Sequence, residues 1–164
     1  MSRVFIALGS NIEPETNLLS AAASLRAFWP DTRFSRVYRS APMGHEEQAF
    51  FLNAVGMMET TEPPEEIIKK LQSIEQNLKK ETPFRFGPRT IDLDLLLFDN
   101  LTLHDPAFTL PHPRMHERRF VLAPLLDLIS PEDRHPSLHQ TWSKLLDATQ
   151  EQTCELFPLH LEVR

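Results

Sequence analysis

An α+β sandwich, an antiparallel sheet carrying two helices, is the fold class that three features of the chain predict. Short apolar runs rich in strand formers alternate with two segments of helical apolar spacing, in the order β-α-β-β-α-β. At 164 residues and 41% hydrophobic content the chain can bury the core of one ordinary domain, which excludes disorder as the ground state. No internal repeat, low-complexity tract or long linker interrupts it, so residues 1–164 are expected to form a single domain.

Val4-Phe5-Ile6-Ala7-Leu8 reads as a buried strand ended by the turn Gly9-Ser10-Asn11. Pro14 suits a first helical position, where its missing N–H costs nothing, and Leu18, Ala22, Leu25 and Trp29 follow helical spacing. Helix one is therefore expected from about Glu15 to Phe28, stopping before Pro30. Phe34 to Arg39 is expected as a strand, Ser40 to Gln48 as a loop, and Phe50 to Thr60 as a second strand. Glu62-Pro63-Pro64 opens helix two, whose stripe is Ile67, Leu71, Ile74 and Leu78.

Thr90 to Phe98 is the strongest strand, and period-two alternation places Ile91, Leu93, Leu95 and Leu97 on one core face. Phe108-Thr109-Leu110 reads as a short edge strand, and a helix carrying Met115, Leu122, Leu126 and Ile129 follows with Pro124 as its break. Beyond Ser130 the one signal is a short helix around Trp142 to Leu146. Both long helices on one face of a βαββαβ antiparallel sheet, with extra C-terminal helices, define a ferredoxin-like sandwich.

Charge and cysteine content narrow the functional classes. A formal charge of −6 argues against broad adhesion to nucleic acid or anionic membrane. The single cysteine, Cys154, cannot form an internal disulfide, which suits a reducing, cytoplasmic setting. The apolar runs Val4 to Leu8 and Leu95 to Phe98 are too short for a signal-peptide core or for the roughly 20 residues of a spanning helix.

The strongest chemical signal is Gly87-Pro88-Arg89-Thr90-Ile91-Asp92-Leu93-Asp94. On a strand Asp92 and Asp94 project from one face with Cα atoms about 6.6 Å apart, a hard-oxygen pair suited to Mg²⁺, which keeps several waters and shares substrate phosphates. The same spacing also suits two carboxylates that only solvate an outer sheet face. Of the 17 basic residues, seven fall in two stretches: Lys79, Lys80, Arg85 and Arg89 before the aspartates, and Arg114, Arg118 and Arg119 after them. Cations around a metal-binding pair suit a polyphosphate, although such clusters also occur as solvated faces.

Neither a P-loop nor a dinucleotide-binding glycine motif is present, so side chains and metal must hold any nucleotide. His112 and His116, four apart, lack a third zinc ligand nearby; a phosphate contact by His112 at a helix start and a plain surface pair remain open. Phe51 and Asn53 share a strand face, a ring for stacking beside an amide for edge pairing with a flat heteroaromatic ligand, or else a core ring and a turn-facing amide. Phe86 and Phe120 each follow an arginine.

Read in order, Ala7-Leu8-Gly9-Ser10-Asn11, Tyr38-Arg39-Ser40, Phe51-Leu52-Asn53-Ala54, the Pro88-to-Asp94 string, Pro111-His112-Pro113 and Arg118-Arg119-Phe120 resemble the 6-hydroxymethyl-7,8-dihydropterin pyrophosphokinases of folate biosynthesis. The resemblance covers about the first 130 residues. It implies transfer of pyrophosphate from ATP to the pterin hydroxymethyl group with release of AMP, in a monomer that needs neither nucleic acid nor membrane. It further implies that Asp92 and Asp94 hold two Mg²⁺ ions, with Asp94 also taking the hydroxyl proton. Arg89, His112 and Arg118 match triphosphate contacts, and Gln72, Glu75, Lys80 and Thr109 match the nucleotide site. Phe51, Asn53, Phe86 and Phe120, with Pro42, Met43 and Gly44 closing over, match the pterin site.

Departures from the family pattern are local. Lys79-Lys80 stands where Gly-Arg is usual, a point charge in place of a bidentate fork, and Pro83 stiffens the loop. Phe86 replaces a frequent tryptophan and Phe51 a common tyrosine. Two other classes fit the expected fold: a catalytically silent ligand-binding module, and an RNA-binding sheet. The latter calls for aromatics interleaved with Lys and Gly on a central strand, where Thr90 to Phe98 carries aspartates.

Overall fold

The computed structural model describes residues 1–41, 50–80 and 91–162, without the side chain of Lys80. Strand β1 (Ser2–Ser10) leads into α1 (Pro14–Phe28), then β2 (Arg33–Phe34), β3 (Val37–Ser40), β4 (Phe51–Thr60) and α2 (Pro64–Lys80). These are followed by β5 (Asp92–Phe98), β6 (Leu103–His104), β7 (Thr109–Leu110), a 3₁₀ turn (Met115–Glu117), α3 (Arg119–Leu125), α4 (Trp142–Asp147) and β8 (Cys154–Phe157). The main sheet runs β5-β1-β4-β3-β8, with β2 also on β4, and all its pairings are antiparallel. The architecture is thus α+β, with helices packed on an antiparallel sheet.

Sequence chemistry accounts for each layer. Pro14 occupies the first turn of α1, and the helix ends where Trp29 N–H returns to Leu25 O at 2.8 Å. The stripes of α1 and α2 meet one sheet face, burying Leu18, Leu25, Ile67, Leu71 and Ile74 against Ile6, Leu8, Leu52, Leu93 and Leu95. Each such side chain contributes about 1.5–3 kcal/mol, so this face supplies the main driving force for folding. On the opposite face Phe5, Val55, Leu96 and Leu97 pack with Met115, Leu122, Leu125, Trp142 and Leu145. That second layer covers only part of its face, and the uncovered end holds the site.

The structure corrects several expectations. The segment Phe34 to Arg39 divides into β2 and β3, because Ser35 turns inward and its Oγ accepts from Val55 N–H at 2.8 Å, while Arg36 is drawn to Asp127. Leu97 leaves the face of Leu93 and Leu95: a register shift opposite Phe5 and Ile6 adds a residue to β5, and Leu96 and Leu97 both join the second cluster. Phe108 to Leu110 is not an edge of the main sheet; β7 pairs with β6 in a separate two-stranded ribbon. The helix expected through Ile129 is the 3₁₀ turn plus the seven residues of α3, with Pro124 inside its last turn. Strand β8, absent from the sequence reading, pairs with β3. Among the described residues no helix is long and apolar enough to cross a membrane.

Candidate active site

Register assembles the site before any side chain is considered. Asn53 on β4 lies opposite Tyr38 on β3 and Gly9 on β1, and Gly9 in turn lies opposite Asp92 on β5. The next row is Val55, Ala7 and Asp94. Directly paired residues share a face, and neighbouring strands are about 4.8 Å apart, so Asn53 and Asp92 stand about 10 Å apart across the glycine. Gly9 and Ala7 keep the floor between them low. A Cβ on Gly9 would lie 3.3 Å from Asn53 Oδ1, tighter than side chains tolerate without shifting.

Seven predicted residues, Phe51, Asn53, Asp92, Asp94, His112, Arg118 and Phe120, line one cavity of about 420 Å³ above this floor. The Asn53 amide is 5% exposed, and its orientation is determined by neighbours on β3. Nδ2 donates to Ser40 Oγ at 2.8 Å and reaches toward the Tyr38 carbonyl at 3.5 Å, leaving Oδ1 as an acceptor on the Gly9 side. Arg118 holds its guanidinium 5.7 Å from the centre of the Phe120 ring. The aspartate pair therefore does not merely face solvent; it lines a concave wall beside a histidine and an arginine.

Gln72, Glu75 and Thr109 line a second cavity of about 340 Å³ along the outer edge of β5, and this cavity shares Asp94 and His112 with the first. Glu75 Oε2 accepts the Leu93 N–H at 2.9 Å, which satisfies an edge amide lying between the two aspartates. Leu96 O receives His112 N–H at 2.9 Å, so the same edge also fixes the histidine backbone. His112 Nδ1 accepts from Arg114 N–H at 3.2 Å, which leaves Nε2 as the protonated ring nitrogen. Burial holds His112 below the ordinary imidazole range, against the pull of Asp94 and with help from Arg118 and Arg114. Its neutral ring is a hydrogen-bond donor rather than a fixed charge.

Other predicted features go elsewhere. Pro42, Met43, Gly44, Phe86, Arg89 and the Lys80 side chain lie outside the described residues. His112 precedes the 3₁₀ turn by three residues and is not at a helix start, because Pro113 and Arg114 intervene. His116 turns away from His112 and packs edge-on against His135. Arg119 leaves the cationic cluster: its guanidinium donates to Leu146 O at 3.1 Å, and its N–H to Gln152 Oε1 at 2.9 Å. Sequence reasoning did not single out Gly9 and Ser40 as site residues; only the strand register sets them beside Asn53.

Known proteins resemble this chain in sequence and in fold. The profile of the 7,8-dihydro-6-hydroxymethylpterin-pyrophosphokinase family matches residues 5–130. The 2-amino-4-hydroxy-6-hydroxymethyldihydropteridine pyrophosphokinase of Bacillus subtilis is 41% identical over 140 residues, covering 84% of each chain. The protein of the same name from Pseudomonas aeruginosa is 38% identical over 142 residues, 82% of this chain and 88% of its own. Among solved structures, an HPPK-DHPS in complex with substrates superposes with a TM-score of 0.71 at 15% identity, over 92% of this chain. This chain spans 43% of that longer one, and the likeness concerns the fold. With matched residues running from β1 through α3 and whole-length relatives of one name, the chain belongs to the 7,8-dihydro-6-hydroxymethylpterin-pyrophosphokinase family.

Proposed function

We propose that the two joined cavities divide the substrates between them, the pterin in the larger and ATP in the smaller, with the transferred group at their junction. The chain is an ATP-dependent pyrophosphokinase that forms the pterin diphosphate and AMP from 6-hydroxymethyl-7,8-dihydropterin in folate biosynthesis. The observation that carries the division of labour is that Asp94 and His112 line both cavities. A donor and an acceptor substrate must meet somewhere, and these two side chains are common to both walls.

The flat pterin lies over Gly9 and Ala7, stacked by Phe51 and Phe120. Asn53 offers it an acceptor oxygen, because its amide nitrogen is already committed to Ser40. The ring edge at Asn53 therefore carries an N–H, and the hydroxymethyl group extends toward the aspartates about 10 Å away. Asp94 accepts the hydroxyl proton as the oxygen attacks the β-phosphorus. His112 donates from Nε2 to a phosphate oxygen, and Arg118 neutralises charge as it shifts toward the leaving AMP. Gln72, Glu75 and Thr109 line the nucleotide end.

Asp92 and Asp94 fit two Mg²⁺ ions by donor chemistry: hard carboxylate oxygens, with no group of three protein ligands among the described residues that would make a closed cage. When bound, the metal would supply charge neutralisation and alignment of the triphosphate. Sheet order β5-β1-β4-β3 and both long helices on one face support a ferredoxin-like core in one domain over residues 1–164. A monomer in the cytoplasm, acting on small molecules and on neither nucleic acid nor membrane, fits the net acidity and lone cysteine. The test is product analysis: AMP is expected to appear only with ATP, the reduced pterin and a divalent cation together. Release of ADP, or of AMP without pterin, overturns the reading.

A further inference from the structure

On the cavity face of β1 the residues run Phe5, Ala7, Gly9, from a ring buried in the second core to no side chain at all. The backbone does not ask for this. Gly9 is a regular strand residue, paired with Asn53 on one side and Asp92 on the other. Its φ lies outside the left-handed range, so any residue can adopt the same conformation. Glycine within a strand is a cost, because it gives up more chain entropy on folding and packs nothing. What the position gains is therefore space.

Among the described residues, and leaving out its neighbours in the chain, a Cβ on Gly9 meets a single heavy atom within 4 Å, Asn53 Oδ1 at 3.3 Å. Gly56 supplies the contrast: a Cβ there meets the Phe34 ring at 3.2 Å and Thr32 Cγ2 at 3.5 Å, so that glycine makes way for core packing. The Asn53 amide cannot give way freely. It is 5% exposed, and its Nδ2 donates to Ser40 Oγ at 2.8 Å. The Tyr38 carbonyl, which only accepts, stands on the same side at 3.5 Å, so Nδ2 faces β3 and Oδ1 overhangs Gly9. A methyl group at position 9 moves that oxygen by a few tenths of an ångström and strains the Ser40 bond.

We infer that Gly9 is a positioning residue for the pterin: its missing side chain lets the Asn53 acceptor oxygen lie out over β1, along the row toward Asp92. The inference rests on the placement of the pterin over this row. Ser40 draws one end of the amide toward β3 and Gly9 leaves room for the other, so the two residues fix its orientation from opposite sides. The ring N–H that Asn53 accepts is thereby met at one height above the sheet.

Two measurements on the whole chain test this. In the ligand-free protein, Gly9→Ala is expected to shift the Asn53 side-chain amide resonances in a nitrogen-15 correlation spectrum; unmoved resonances overturn the inference. In steady-state kinetics the same variant is expected to raise the pterin KM about 3- to 10-fold, the worth of one weakened hydrogen bond, with kcat and the ATP KM unchanged. An equal rise in both KM values overturns it. Asn53→Ala removes the atom that the new methyl group meets, so adding Gly9→Ala to it is expected to raise the pterin KM no further. A rise of the same size in that background means that position 9 acts on the ligand directly, and overturns the inference. If Gly9→Ala does not fold, the double variant decides: it folds when the clash is with Asn53, and its failure to fold counts against the inference. Shifted resonances with an unchanged pterin KM support the hold of Gly9 on Asn53 but remove Asn53 from the pterin site, so the two readings fail separately.

Discussion

At the scale of single residues, orientation matters as much as identity. Asn53 is useful to a ligand only if its amide is held one way, and Ser40 Oγ at 2.8 Å does the holding. Ser40→Ala is expected to raise the pterin KM about 5- to 30-fold, equivalent to about 1–2 kcal/mol for a lost positioning bond, with the ATP KM unchanged. An equal rise for both substrates contradicts the assignment of Asn53 to the pterin. Phe51→Ala should likewise weaken pterin binding more than ATP binding, as calorimetry can check. Asp94→Ala is expected to abolish measurable turnover with circular dichroism unaltered, since its side chain faces the cavity rather than the helix-covered core.

Histidine protonation links residue chemistry to stability. Burial holds His112 below the ordinary value of 6.5, and brings His135 to about 4. Between those limits the unfolded chain binds more protons than the native one, so the contribution is fully present above about pH 6.5 and declines as pH falls toward 4. For His135 the loss is as much as about 3 kcal/mol. Urea midpoints measured at pH 7 and pH 5 should show lower stability at pH 5. A flat or rising profile is incompatible with a neutral buried His135.

At the scale of elements, the question is what keeps α3 in place, since it begins beside Arg118 and carries Phe120 and Val121 into the cavity. Just beyond its end, Asp127 accepts from Arg36 Nη2 at 2.8 Å and from the Tyr38 hydroxyl at 3.0 Å. Burial, with Asp127 adding to it, pushes that hydroxyl up to about 12, so it remains a donor throughout the physiological range. Arg36 is 60% exposed and its ion pair is screened, whereas Tyr38 is 7% exposed and its hydroxyl has little access to water. Asp127→Ala is therefore expected to cost about 2 kcal/mol, a fall of roughly 4–8 °C in melting temperature, and Arg36→Ala well under half of that. The reverse ranking by calorimetry assigns the staple to the ion pair instead.

At the scale of the whole molecule, the two sheet faces have different tasks. The face under α1 and α2 is closed and apolar, while the other is half roofed by α3 and α4 and open at the strand ends where the aspartates lie. The roof depends on the C-terminal segment: Trp142 and Leu145 are buried in the second cluster, and β8 extends the sheet at β3. Removing residues 130–164 strips at least two large side chains from that cluster, about 3–6 kcal/mol on area alone and comparable with a domain's whole stability. The truncated chain is expected to be insoluble or molten, with near-ultraviolet circular dichroism lost; a cooperative melt at the full-length temperature contradicts this.

Most of the long elements were legible in the sequence because their signals are local and repeated. The stripes of α1 and α2 and the alternation of Ile91, Leu93 and Leu95 announce themselves through period alone. The Asp92-Leu93-Asp94 alternation likewise needs no partner to place both carboxylates on one face. What escaped depended on distant chain: the shift that moves Leu97 to the second core is set by β1, β8 exists only because β3 offers it an edge, and His116 left His112 for His135. By itself the sequence determined the α+β class, the order of the main elements and the identity of the acidic pair, since these rest on backbone geometry and spacing along a single chain. Tertiary structure alone decided that Asn53, Gly9 and Asp92 form one row and that Asp94 and His112 belong to both cavities, because register and packing are properties of segments far apart in the chain.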